Sequence, residues 1–248
     1  MSEQRTPRTG TEDSPGTAPS TEAGSAGIRV TRPGWPELGI ATLAALVFYA
    51  VGSLVVFTLP GGVVVSGLAQ FALSGLAPLC AFAVAVLLRI RDVRAFGFRR
   101  VHPKWLLLAV LIAAVLVAAL TLVTFPLLEP VFPGSDDVQA DYRAAGSSSV
   151  LAFAGIILLG GILTPIGEEV LFRGVLANVL FRWGTPVAVI LSSAVFAVAH
   201  GVNGVMVNAF IVGVFASLML RYTRSIWPAI VIHLVFNSTY LFLEAFPA

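Results

Sequence analysis

Glu168-Glu169-Val-Leu-Phe-Arg173 places three formal charges inside otherwise apolar sequence, and His200 and His233 sit at the end of one later apolar run and within another. A charged side chain at the centre of a bilayer-spanning helix costs about 2.5–3.5 kcal/mol on insertion scales, so a charge kept there points to function by default. Glu169 and Arg173 are spaced i,i+4 and can pair on one helix face. That pair reads just as well as a buried structural ion pair. Glu168 has no such partner, because position 172 is Phe. It is either a carboxyl held neutral by an apolar setting or an acid/base group tuned by its surroundings. His233 and Asn237 are also i,i+4 and share a face of the last apolar run. Singly, each histidine reads as a helix-packing residue as readily as a catalyst. Together, a carboxylate, two imidazoles and an amide meet the needs of amide hydrolysis, which requires a base for water and donors for an oxyanion. No serine with a suitable base stands out, Cys80 is remote in sequence, and His-Glu-x-x-His is absent. Two histidines and one glutamate also suffice for catalytic zinc, so if a metal binds, its ligands are Glu168, His200 and His233. His102 lies in a basic loop and reads as solvated.

These residues need helices to hold them, and the composition supplies them. The chain has 248 residues, 57% apolar and 11% charged, with mean hydropathy +0.92; soluble domains average about 25% charged. Apolar windows fall near 38–59, 63–88, 105–127, 150–181, 185–201, 204–220 and 226–244. The expected fold is all-α, a polytopic transmembrane bundle of about seven to eight spans. Arg89, Arg91, Arg94, Arg99, Arg100 and Lys104 crowd one connection, and Arg182, Arg221 and Arg224 mark two others. Glu129, Asp136, Asp137 and Asp141 mark the connection on the opposite side. By the positive-inside rule the basic side and the N-terminus are cytoplasmic. Basic residues so distributed are topology signals and exclude a nucleic-acid partner. Residues 1–35, rich in Ser, Thr, Gly and Pro, read as a disordered tail. Residues 36–149 then form N-terminal spans and loops, and 150–248 the core that carries the chemistry. Cys80, inside an apolar run, reads as an inert buried thiol.

The window 150–181 is too long for one straight span. Pro165 crowds the carbonyl of Gly161, so a kink or a fresh helix start is expected there, with water entry as one way to satisfy the freed backbone. Glu168 precedes Gly184 by 16 residues and His200 follows it by 16. Antiparallel helices leaving a turn at Gly184 bring both side chains to one depth, roughly 24 Å along the axes.

Glu168-Glu169-x-x-x-Arg173, Phe196-x-x-x-His200 and His233-x-x-x-Asn237 occur in this order on apolar helices. The set resembles the type II CAAX prenyl endopeptidases and their bacterial relatives, the CPBP or Abi family, over about residues 150–244. The resemblance implies an intramembrane endopeptidase in which Glu168, helped by His200, activates water while His233 and Asn237 stabilise the oxyanion. Glu169 and Arg173 would be supporting residues. It also implies a metal-free mechanism, with zinc as the alternative. The partners would be a protein or peptide substrate and the lipid bilayer. The compact, Gly/Ala/Val-rich spans and the lack of a visible targeting signal point to a prokaryotic plasma membrane. The competing reading is a non-catalytic scaffold or bacteriocin self-immunity protein that keeps the same polar network. A small transporter would show repeated halves, and no repeat is apparent.

Overall fold

The computed structural model describes residues 32–128, 130–132 and 140–246. The expected tail, up to residue 31, and the acidic residues Glu129, Asp136 and Asp137 lie outside the described residues. Those described are all-α and wind into eight helices: α1 (Trp35–Thr58), α2 (Gly62–Ile90), α3 (Pro103–Val123), α4 (Ala140–Ser148), α5 (Val150–Trp183), α6 (Thr185–Val198), α7 (Gly204–Thr223) and α8 (Trp227–Ala245). Six of them, all but α4 and α6, are long and apolar enough to cross a bilayer, which makes this a multi-pass integral membrane protein.

The expected count of seven to eight spans is therefore corrected to six of full length. The window at 185–201 forms a helix of only 14 residues, short of the roughly 20 a span needs. It stops because Gly201 turns to φ +85 and the backbone N–H groups of His200 and Gly201 bond three residues back. His200 thus sits in a closing turn rather than on a spanning helix.

Apolar composition alone does not separate lipid-facing from protein-facing surfaces. Leu46, Leu54 and Phe57 on α1 and Leu107, Leu111 and Val115 on α3 are all exposed. Cys80 shares this fate: it lies on the exposed face of α2, not in the packed interior.

The helix α5 runs 34 residues, about 50 Å at 1.5 Å per residue. No fresh start occurs at Pro165. Leu163 and Thr164 keep right-handed helical dihedrals, and the turns on either side, Ile157–Leu163 and Val170–Ala177, widen to π-helix. A π turn lets the ladder skip the hydrogen bond a proline removes. The loosened carbonyls find protein donors rather than requiring water: Ser238 Oγ donates to Gly161 O at 3.2 Å and Asn237 Nδ2 to Gly160 O at 3.3 Å. So α8 is tied to α5 two turns before Glu168.

On its other flank α5 presses against α2 through the segment Thr164–Glu169. Thr164 Oγ1 donates to Phe71 O at 3.0 Å. Gly167 meets Gly75 so closely that a β-carbon on Gly167 would lie 2.2 Å from Gly75 O. Small residues at such crossings let membrane helices approach backbone to backbone. Backbone cannot swing aside like a side-chain tip, so Gly167→Ala is expected to destabilise by at least about 1–3 kcal/mol. Thermal melting of the detergent-solubilised protein, with membrane-fraction abundance alongside, would register the loss. Gly39→Ala, with nothing within 4 Å of the added carbon, should match wild type.

Candidate active site

Glu168 and Glu169 lie at the end of the α-helical turn Thr164–Glu169, clamped between α2 and α8. Being consecutive, they diverge by about 100° around the helix and meet different partners.

Glu169 is fully buried and accepts from two donors at one oxygen: Arg173 Nη1 at 2.8 Å and His233 Nδ1 at 2.9 Å. Arg173, also fully buried, lies with its guanidinium carbon 4.3 Å from the centroid of the Phe196 ring, a cation–π contact. Room for the guanidinium comes from α7, where a β-carbon on Gly213 would stand 2.9 Å from Arg173 Nη2. The i,i+4 pairing expected of Glu169 and Arg173 is present, and their fixed geometry reaches a third helix through His233.

Glu168 points to both histidines. Its Oε1 is 4.0 Å from His200 Nε2 and its Oε2 is 3.6 Å from His233 Nε2. The partners of the two rings set their tautomers. His200 Nδ1 is 2.9 Å from the carbonyl oxygen of Phe196, which can only accept, so Nδ1 carries the hydrogen. His233 Nδ1 faces the Glu169 carboxylate and does the same. His200 therefore turns an Nε2 lone pair towards Glu168, and His233 turns its Nε2 towards the other carboxylate oxygen. The ring nitrogens and the carboxyl meet across gaps wider than a hydrogen bond, a setting that one water can bridge.

The depth expected from residue counts on either side of Gly184 agrees with the gathering of Glu168, His200 and His233. Asn237 stands one turn beyond His233 on α8, and its amide gives one N–H to Gly160 O, leaving its second for another acceptor. Of Glu168, His200 and His233, His200 has the most open side chain, 25% exposed. His102 lies apart from this group: it caps α3, its Nδ1 accepting from the backbone N–H of Lys104 at 3.2 Å.

Phe196 is the residue whose part was not assigned from sequence. Its ring centroid is 4.7 Å from that of His200, 5.5 Å from that of His233 and 4.9 Å from that of Phe172. It is the apolar platform against which both imidazoles and Arg173 rest. Its spacing one turn before His200 was the available signal.

Among the described residues, no three His, Cys, Asp or Glu side chains are grouped as the ligands of a metal ion. One ring nitrogen of His233 is committed to Glu169 and one of His200 to Phe196 O. Each ring keeps its Nε2 turned to Glu168, so Glu168, His200 and His233 are the residues that would hold a metal if one bound, and no chemical step is assigned to one.

Residues 148–239 match the family described as Type II CAAX prenyl endopeptidase Rce1-like. The match contains all six polar residues of the site. No curated protein and no solved structure matches the chain.

Proposed function

We propose, from the type II CAAX prenyl endopeptidase domain that this chain carries at residues 148–239, that it is an intramembrane endopeptidase cutting a membrane-associated protein or peptide. The observation that carries this is the convergence of His200 Nε2 and His233 Nε2 on the two oxygens of Glu168, at 4.0 and 3.6 Å.

Glu168 takes a proton from a water bridging it to the imidazoles, and the resulting hydroxide attacks the scissile carbonyl carbon. His200 accepts the water's other hydrogen and aims its lone pair. His233, protonated on Nε2 with Glu169 balancing the charge, and the free N–H of Asn237 donate to the oxyanion. As the tetrahedral intermediate collapses, Glu168 returns its proton to the departing amine and the C–N bond breaks. Glu169 and Arg173 are positioning residues that hold His233. The apolar walls strengthen each of these interactions by excluding competing water. We place its N-terminus in the cytoplasm on the strength of its arginine-rich connections, and the chain in a prokaryotic plasma membrane on its compact, Gly/Ala/Val-rich spans.

New protein termini, read by mass spectrometry in cells expressing wild-type protein or Glu168→Gln at equal membrane abundance, test the proposal. Termini present only with wild type would establish a peptidase and its substrate. Identical termini across growth conditions would favour the scaffold or self-immunity reading, in which the buried network only holds helices together. With a substrate in hand, cleavage is expected to survive 1,10-phenanthroline or EDTA. Loss of activity that added Zn²⁺ restores would overturn the metal-free mechanism.

A further inference from the structure

Away from Glu168, the C-terminal ends of α5 and α7, the stretch preceding α1 and the α2–α3 connection enclose an open cavity of about 80 Å³. Arg32, Arg94, Arg99, Arg221 and Arg224 line it, and no carboxylate does. Among the described residues none of the five forms an ion pair. The acids near this end of the bundle are engaged elsewhere. Glu37 is paired with Arg89 at 2.7 Å, and Asp92 accepts from the backbone N–H of Arg94 at 2.9 Å. Arg99 and Arg221 use only Nε, donating to Arg94 O at 3.1 Å and to Thr185 Oγ1 at 2.8 Å. Their terminal N–H groups stay available.

Gathering five guanidiniums around one space is unfavourable unless an anion joins them. The planar fork of arginine matches phosphate oxygens in bidentate fashion. Depth chooses the source. Trp35, Trp183 and Trp227 stand within three residues of Arg32, Phe181 and Arg224 respectively, all on the cavity wall. They are 52%, 49% and 44% exposed, and the rings of Trp35 and Trp183 lie 5.2 Å apart. Half-exposed tryptophans mark the headgroup level of a bilayer. Phe181 and Leu220 add apolar wall to the same cavity. A basic pocket between spanning helices at that level suits an anionic headgroup.

We propose that this cavity binds the phosphodiester headgroup of an anionic membrane phospholipid. The site is separate from the peptidase centre: Asn178, on the cavity wall, is ten residues from Glu168 along α5, about 15 Å.

The full chain, reconstituted in bilayers of phosphatidylcholine with phosphatidylglycerol and released for native mass spectrometry, tests this. Wild type is expected to retain phosphatidylglycerol in preference to phosphatidylcholine. Arg32→Gln/Arg94→Gln/Arg224→Gln, which removes no hydrogen bond of the fold, should lower that retention roughly a hundredfold, at about fivefold for each juxtamembrane arginine. Arg91→Gln/Arg100→Gln removes two charges from the α2–α3 connection outside the cavity and should retain the lipid. If the triple variant fails to fold, Arg32→Gln alone, outside every helix, should still give the single-arginine loss. Equal retention of both lipids, or equal loss in the control pair, overturns the proposal. Displacement by inorganic phosphate with no preference between lipids would assign the cavity to a soluble anion and overturn the lipid source.

Discussion

Glu168→Gln is expected to lower the cleavage rate by about 10²–10⁴-fold, the usual contribution of a positioned general base, while the protein folds and reaches the membrane as wild type does. The two halves of this expectation have separate causes. An amide cannot take a proton from water, so the chemical step loses its base. The fold, however, gains little from the carboxylate: Glu168 stands 4.0 and 3.6 Å from its imidazole neighbours, beyond direct hydrogen bonding, and its buried Oε2 has no hydrogen-bond partner among the described residues. Glutamine has the same shape and carries no charge into the apolar interior, so the melting temperature should equal or exceed that of wild type. Cleavage of the identified substrate and thermal melting in the same detergent read both quantities. An active Glu168→Gln protein would refute the general-base role. A poorly folded one would turn Glu168 into a structural residue.

The neighbouring glutamate should behave oppositely, and the difference shows how far sequence could be read. Spacing alone paired Glu169 with Arg173 and put His233 and Asn237 on one face, because a helix repeats every 3.6 residues whatever surrounds it. Counting from Gly184 brought Glu168 and His200 to one depth, because a turn between antiparallel helices fixes their relative axial positions. The hydrogen bond from His233 to Glu169 was not legible, since it joins α5 to α8 across 64 residues and depends on how both helices rotate. Nor was the continuity of α5 through Pro165. Local rules call for a break there, but Ser238 and Asn237 on α8 satisfy the loosened carbonyls from outside the helix. The arginines of the connections read as topology signals one by one. Their meeting in one cavity needs the tertiary fold to bring the stretch before α1, the α2–α3 connection and the end of α7 together.

Arg173→Met is expected to remove about 3–5 kcal/mol of stability, the range found when one member of a buried ion pair is deleted. That is a large share of the 5–15 kcal/mol a folded domain typically holds, so the variant should be scarce in the membrane fraction. The cause is electrostatic rather than steric. Methionine fills the apolar part of the site beside Phe196, but Glu169, fully buried, loses its guanidinium partner and is left with His233 alone. Removing both charges should reverse much of the loss, because an apolar pair of similar volume needs no mutual compensation. Glu169→Leu/Arg173→Met is therefore expected to accumulate better than Arg173→Met. It should still cleave poorly, since His233 would then lack the acceptor that fixes its Nδ1 hydrogen and balances a proton on Nε2. Abundance restored without activity would separate holding the helices together from aiming the imidazole, and identify Glu169 and Arg173 as positioning residues. If Arg173→Met accumulates and melts like wild type, the buried pair does not support the fold. Full activity in the double variant would mean that His233 needs no partner.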